Sequence, residues 1–222
     1  RNSICYPNLN VKIAATHAGI SVGEDGATHQ CLEDIGLMRT IPNMIIINPA
    51  DDIEAKLAVK AAIDHKGPVY LRFGRLAVDD INPSDYNFEL GKGVMLKDGT
   101  DATIIATGLM VADALKAHEM LLSEGISTRV INIHTIKPLD EEIIKNAAID
   151  TGAIVTCEEH YVMGGLGGAV CEAVCKTNPV PVKIIGTEKF GKSGKPAQLM
   201  QEYGLTAENI VNSVKEIIKF KK

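Results

Sequence analysis

Met44-Ile45-Ile46-Ile47-Asn48, the stretch over residues 50–65, and Val69-Tyr70-Leu71-Arg72-Phe73 decide the fold class of this chain. The first run reads as a buried strand and the third as another. Residues 50–65 between them read as a helix starting near Asp51 or Asp52. An apolar strand on either side of a helix marks a parallel sheet covered on both faces, because such strands have no wet side.

The same alternation extends in both directions. Residues 11–16 form a short apolar run that ends in a glycine-rich stretch from Gly19 to Gly26, and Leu32, Ile35, Met38 and Ile41 then recur at helical spacing. From Leu76 to Gly91 the pattern dissolves, and the polar, turn-rich residues 79–87 read as a linker. A second series follows, with strands expected over residues 102–107, 128–133, 154–157 and 182–185. Helices are expected over residues 110–123, 140–148, 166–175, 196–203 and 207–220. Pro138 and Pro196 fit helix starts and Gly125 fits a helix stop. The expected organisation is α/β, with two doubly wound sheets: a first unit over residues 1–80, a linker over 81–91 and a second unit over 92–222. The first unit has only about three strands before the linker, which leaves an open sheet edge. Together with an Arg rather than a Met at position 1, this marks the chain as a fragment whose first unit lacks its beginning.

Bulk properties narrow the function. The 222 residues suffice for two units, and 45% hydrophobic with 23% charged residues is an ordinary globular composition. Trp is absent, so aliphatic side chains must build the core. The net charge of −5 and the lack of a long basic tract argue against nucleic-acid binding. Lys219-Phe220-Lys221-Lys222 reads as a solvated helix end. Cys5, Cys31, Cys157, Cys171 and Cys175 form no disulfide framework, which fits a reducing, cytoplasmic setting. Cys171 and Cys175 share a helix face without metal-site spacing and are expected to be buried core thiols. No membrane-spanning run or signal peptide is visible.

The chemistry concentrates in Thr16-His17-Ala18-Gly19-Ile20-Ser21-Val22-Gly23-Glu24-Asp25-Gly26-Ala27-Thr28-His29-Gln30, where two imidazoles, two carboxylates and three glycines occupy one connection after a strand. In open α/β sheets ligands bind outside the carboxyl ends of strands, where this loop belongs. Thr28 is a candidate N-cap, which would put His29 in the first turn of the next helix. The positive helix end would keep that ring neutral and fit for general acid–base work. A lone loop histidine is more often surface decoration; two with an aspartate among glycines favour a site. Arg72 would lie in its strand and Arg75 just past Gly74 at the carboxyl edge, as an anion ligand or a surface ion-pair partner. Glu158-Glu159-His160, after a strand, precedes Gly164-Gly165-Leu166-Gly167-Gly168, which does not fit the dinucleotide pattern. Close packing or an interface is expected there, with no catalytic role.

The stretch from Thr16 to Gln30 closely resembles the transketolase family signature, in which T-H precedes G-x-G-E-D-G-x-T-H-Q. Glu33, Arg39, Pro42-Asn43, Pro49-Ala50-Asp51, Glu54 and Gly67-Pro68 to Gly74-Arg75 continue the similarity. In the second unit, Ala106-Thr107-Gly108 and Phe190-Gly191-Lys192-Ser193-Gly194 resemble the family's C-terminal domain. The resemblance covers nearly the whole chain. It implies a partial pyrimidine-binding domain followed by a transketolase C-terminal domain, and two-carbon ketol transfer between sugar phosphates of the pentose phosphate kind. It also implies thiamine diphosphate with a divalent metal such as magnesium. Carried over by motif position, His17 and Arg75 would hold the sugar phosphate, and Asp25 would bond a hydroxyl near the reacting carbon. His29 would bind substrate and assist proton transfer beside the cofactor's aminopyrimidine.

The family often has T-H-D-S where this chain has Thr16-His17-Ala18-Gly19. Arg72 beside Arg75 is similar to the 1-deoxyxylulose-5-phosphate synthases, which remain an alternative together with 2-oxo-acid dehydrogenase beta-type components and a non-catalytic interaction domain. The family's cofactor-activating glutamate, its pyrimidine-clasping aromatics and its diphosphate- and metal-binding domain would lie upstream of Arg1. The chain is therefore expected to be inactive alone, to need a diphosphate-binding N-terminal subunit or domain, and to work as a homodimer.

Overall fold

The computed structural model describes residues 1–221, so Lys222, the end of the terminal basic run, lies outside the described residues. Strand β1 (Lys12–Ala15) leads into a 3-10 segment over Ile20–Asp25, then helix α1 (Asp34–Arg39), strand β2 (Ile45–Ile47), helix α2 (Asp52–Asp64) and strand β3 (Val69–Arg72). The strand–helix–strand unit around Ile45 thus forms as its sequence pattern predicts. β3 lies between β1 and β2, parallel to both, with Ala15 opposite Arg72 and Ile47 opposite Leu71. Asp51 starts α2 by accepting a bond from the Glu54 amide at 2.8 Å, satisfying one of the donors a helix leaves free at its beginning.

The second sheet is built from β4 (Val94–Lys97), β5 (Ala102–Ala106), β6 (Thr128–Asn132), β8 (Ile154–Tyr161) and β9 (Val182–Thr187), in the order β4-β6-β5-β8-β9. Only β4 runs antiparallel to its neighbour. Helices α3 (Met110–Ser123), α4 (Glu141–Thr151), α5 (Leu166–Thr177), α6 (Pro196–Glu202) and α7 (Ala207–Ile217) connect and cover it. Two sheets dominated by parallel strands match the expected class.

Strand β7 (Thr135–Lys137) follows β6 in sequence but leaves that sheet and pairs antiparallel with β2, with Ile46 opposite Lys137. The sequence pattern carries no strand there, since three residues have no periodicity to detect. Lys137 Nζ then donates to the carbonyls of Arg39 and Ile41 at 2.9 and 2.7 Å. Ile46 and Tyr70 of the first sheet pack in one buried cluster with Ile105, Ile131, Ile136 and Ile154. The core is therefore continuous across both sheets. Each isoleucine so buried contributes about 1.5–3 kcal/mol.

The polar stretch after β3 is anchored rather than loose. Asp51 Oδ2 accepts from the amides of Ile81 and Asn82 at 2.8 and 2.7 Å, and Glu54 Oε1 accepts from the Tyr86 hydroxyl at 2.8 Å and from Asn132 of β6 at 2.9 Å.

Three expectations are corrected. No helix begins at Thr28: α1 starts at Asp34, and residues 27–29 form a turn. Glu158, Glu159 and His160 do not follow a strand but lie within β8, which runs four residues beyond Cys157. Cys175 is exposed and Cys171 half-buried, because their face of α5 turns partly to solvent.

Candidate active site

β1 and β3 are neighbours, so the loops leaving their carboxyl ends start side by side. The Ala18 amide donates to the Phe73 carbonyl at 3.2 Å, extending the pairing just past the strands. The first loop then folds as the 3-10 segment, broken at Gly23 by φ 84°, a left-handed angle that favours glycine. A side chain at Gly23 would also press on Pro196 at the start of α6. Gln30 closes the loop on itself: its amide nitrogen lies 3.2 Å from the carbonyls of Ile20 and Gly23 and 2.9 Å from that of Lys192.

This shape brings Asp25 and Arg75 together. Arg75 Nη1 donates to the Val22 carbonyl at 2.7 Å and to Asp25 Oδ2 at 3.2 Å, with the two side chains 40% and 47% exposed. One edge of the guanidinium is thus fixed to the loop, and among the described residues its Nε and Nη2 have no protein acceptor.

His17 and His29 are also exposed, and each has a local contact only. His17 Nδ1 lies 2.9 Å from Thr16 Oγ1, on a backbone with φ 63°, and His29 Nδ1 lies 3.1 Å from Thr28 Oγ1. Among the described residues no hydrogen bond or ion pair joins either ring to the Asp25–Arg75 pair. All four residues belong to the two adjoining loops, but the helix dipole expected to act on His29 is missing.

Arg72 is committed to internal partners. It is 3% exposed and held by Asp34 through Nε–Oδ2 at 2.8 Å and Nη2–Oδ1 at 3.3 Å. The Tyr70 hydroxyl donates to the same carboxylate at 2.7 Å. Burial disfavours the charge on Asp34, but the Arg72 guanidinium and the hydroxyl outweigh it and hold its carboxyl below the usual range. Arg72 Nη2 also reaches the Glu159 carbonyl at 2.9 Å. The side-by-side arginines that resemble the deoxyxylulose-phosphate synthases therefore stand in different surroundings, Arg72 buried and Arg75 exposed.

Glu158, Glu159 and His160 are buried along β8, and of the three it is Glu159 that meets the site loop. Glu158 accepts from the Leu166 and Gly167 amides at 2.6 and 2.7 Å, capping α5; burial nonetheless pushes its pKa up to about 7 against the pull of those amides. Glu159 Oε1 accepts from the Ser21 amide at 2.6 Å; burial raises its pKa too, opposed by Arg72 and that amide. His160 donates from Nδ1 to the Tyr161 carbonyl at 2.7 Å and accepts at Nε2 from the Gly36 amide at 3.2 Å, which fixes a neutral ring. Close packing is what the glycines permit here: a side chain at Gly165 would strike Glu158 Oε2 at 1.9 Å. Arg72 and Glu159 border a cleft of about 310 Å³ between the sheets, with Asn48, Gly74 and Leu109 on its other walls. Sequence patterning missed Asp34 and Glu159 as supports of the site, since each finds its partner far along the chain.

Comparison with known proteins gives similarities along nearly the whole chain. The family model for the transketolase pyrimidine binding domain matches residues 1–79, and that for the transketolase C-terminal domain matches residues 91–210. A protein of Methanocaldococcus jannaschii, named as a transketolase C-terminal section, is 48% identical over 99% of this chain and 70% of its own length. A 6-deoxy-6-sulfo-D-fructose transketolase subunit of Clostridium sp. (strain MSTE9) is 41% identical over 99% of this chain and 68% of its own. A solved structure described as a split gene transketolase, inactive beta4 tetramer, superimposes with a TM-score of 0.95 at 47% identity. It is matched over 100% of this chain and 71% of that one.

Proposed function

This chain belongs to the transketolase family, and we propose that it is the substrate-holding section of a two-carbon ketol transferase acting on anionic sugars in the cytoplasm. The observation that carries the reading is the Arg75 guanidinium, pinned along one edge by Val22 and Asp25 with its remaining N–H groups directed to no protein acceptor among the described residues. A planar fork of that kind suits a phosphate or sulfonate end group. The name of the Clostridium relative, a transketolase subunit for a sulfo sugar, is consistent with the sulfonate.

His17, at the end of the strand beside β3, shares the anion with Arg75. Asp25, steadied by Arg75, accepts a hydrogen bond from a substrate hydroxyl near the reacting carbon. His29, exposed beside them, takes up and returns the proton that moves as the hydroxyl becomes a carbonyl. The family depends on thiamine diphosphate, which supplies the electron sink for breaking the carbon–carbon bond. Among the described residues there is no group of three or more His, Cys, Asp or Glu side chains that could hold a metal ion. A diphosphate-binding subunit or domain is the proposed partner, a reading supported by the subunit and split-gene names of the relatives, and we propose a homodimeric arrangement of the assembled pair.

The test is a ketol-transfer assay with a phosphorylated ketose donor and an aldose acceptor, with thiamine diphosphate and magnesium. Turnover is expected when the chain is combined with a diphosphate-binding component, and none from the chain alone. A folded complex that turns over no sugar, or one that consumes pyruvate instead, overturns the reading.

A further inference from the structure

None of the four proposed site residues comes from the second sheet or its helices, yet that half reaches the site loop at several points: the Lys192 carbonyl meets Gln30, Ser193 Oγ donates to the Glu24 carbonyl at 2.7 Å, and a buried carboxylate meets the Ser21 amide. Glu159 sits near the end of β8, 3% exposed, and its Oε1 accepts from the Ser21 amide at 2.6 Å. The loop is built to admit it. Gly19 has φ 93°, and a side chain there would meet the Glu159 carboxyl atoms at 2.2–2.4 Å. Ser21 adjoins Val22, whose carbonyl receives Arg75 Nη1 at 2.7 Å, and the same short segment ends at Asp25. Behind the carboxylate, Arg72 holds the Glu159 backbone carbonyl at 2.9 Å and is itself locked by Asp34.

We infer that Glu159 is a positioning residue for substrate binding, the buried contact by which β8 holds residues 19–22 in place and so helps to set the placement of Arg75 and Asp25. It touches no substrate; it acts through Ser21 and Val22. A charged acceptor is suited to the task, since hydrogen bonds to a carboxylate are shorter and stronger than neutral ones. The inference rests on the proposed roles of Arg75 and Asp25 for its kinetic consequence, but not for its structural one.

Two measurements separate these. On the chain alone, amide hydrogen exchange is followed residue by residue in wild type, Glu159→Gln and Glu159→Leu. Gln keeps an acceptor oxygen and Leu keeps the bulk without it. Exchange at Ser21 is expected to rise by about tenfold or more in the Leu variant, while Gln stays near wild type and the amides of β5 are unaffected. In the chain combined with its cofactor-binding component, the Leu variant should raise KM for the anionic sugar by about tenfold with kcat little changed, and Gln should restore most of it. Unchanged exchange at Ser21, or a rise shared equally by β5, overturns the inference, as does an unaltered KM. Should Glu159→Leu fail to fold, Glu159→Asp decides: a side chain shorter by one methylene draws the carboxylate away from the Ser21 amide and must give the same local exchange and KM effects. If the wild-type complex turns over no sugar, the proposed function falls while the exchange result still decides whether Glu159 orders the loop.

Discussion

Residues 16–30 and 158–168 contain the same ingredients: two adjacent carboxylates, histidine and several glycines. In the first segment His17, Glu24, Asp25 and His29 all stand exposed. In the second, Glu158, Glu159 and His160 are 0%, 3% and 0% exposed. The difference lies in where the hydrogen-bond partners come from. Along β8 the protein itself answers every acid and imidazole with a backbone amide, a carbonyl or a neighbouring cation. In the loop after β1 the rings are left with a single short-range hydroxyl each, and the Arg75 fork is half committed. Groups whose capacity is used up internally build structure; groups left with capacity to spare can meet a ligand. Composition does not distinguish the two.

Substitutions test that division from both sides. The largest effect should come from His29→Ala in the complex with the cofactor-binding component: turnover falls by about 10²–10⁴-fold. Thermal melting stays in place, since the ring is bonded only to Thr28. Steady-state kinetics beside calorimetry checks this, and a lowered melting temperature with full activity would move the loop into the structural class. Glu158→Ala is the mirror experiment. Two amides at the start of α5 lose their acceptor, which should lower the unfolding free energy by about 3 kcal/mol. Urea titration reads it directly; an unchanged midpoint would mean that the buried carboxylate does not hold the helix start.

A third test contrasts a buried imidazole with the exposed ones. His134 is fully buried beside Phe88, and burial pushes its pKa down to about 4. The unfolded chain therefore binds a proton near pH 6.5 that the folded chain refuses until about pH 4. Its contribution is intact above pH 6.5 and is lost as pH falls from there toward 4, by roughly 3 kcal/mol in all. In His134→Phe that dependence should vanish, so the stability difference between variant and wild type must change across the interval; a constant difference would defeat the assignment. The smallest effect is Asp25→Asn. An exposed pair contributes less than about 1 kcal/mol to stability, so unfolding should barely shift while KM for the sugar rises. A shift in unfolding without a change in KM would make the pair structural.

The parts of the fold legible in the sequence were those with enough consecutive apolar residues to show a period, such as β3, β5 and α3. Strand β4 alternates half-buried with exposed residues over only four positions, and β7 has three, so neither stands out locally. The stretch around Asn82 has a linker's composition, yet Asp51 and Glu54 hold it, and that depends on partners 30 and 32 residues apart. The site loop was legible as a motif. Its geometry was not: Thr28 has the chemistry of a helix cap but no helix directly follows it, and the strand runs on through Glu158 and Glu159, the first satisfied by nearby amides of α5 and the second by the distant Ser21 amide. Arg72 and Arg75 look alike on the page, and only Asp34, far away in sequence, separates a buried strut from an exposed fork.

Strand β7 makes the two halves of this chain hard to divide. Residues that follow β6 complete the edge of the sheet containing β2, so scissors applied anywhere between Arg72 and Val94 would strand Thr135–Lys137 without a mate and uncover Ile46 and Ile47. The halves are better pictured as interlocked than hinged. Any opening that admits a ligand must come from the loops above the strands, or from a partner's surface, because the frame beneath them has been sewn shut.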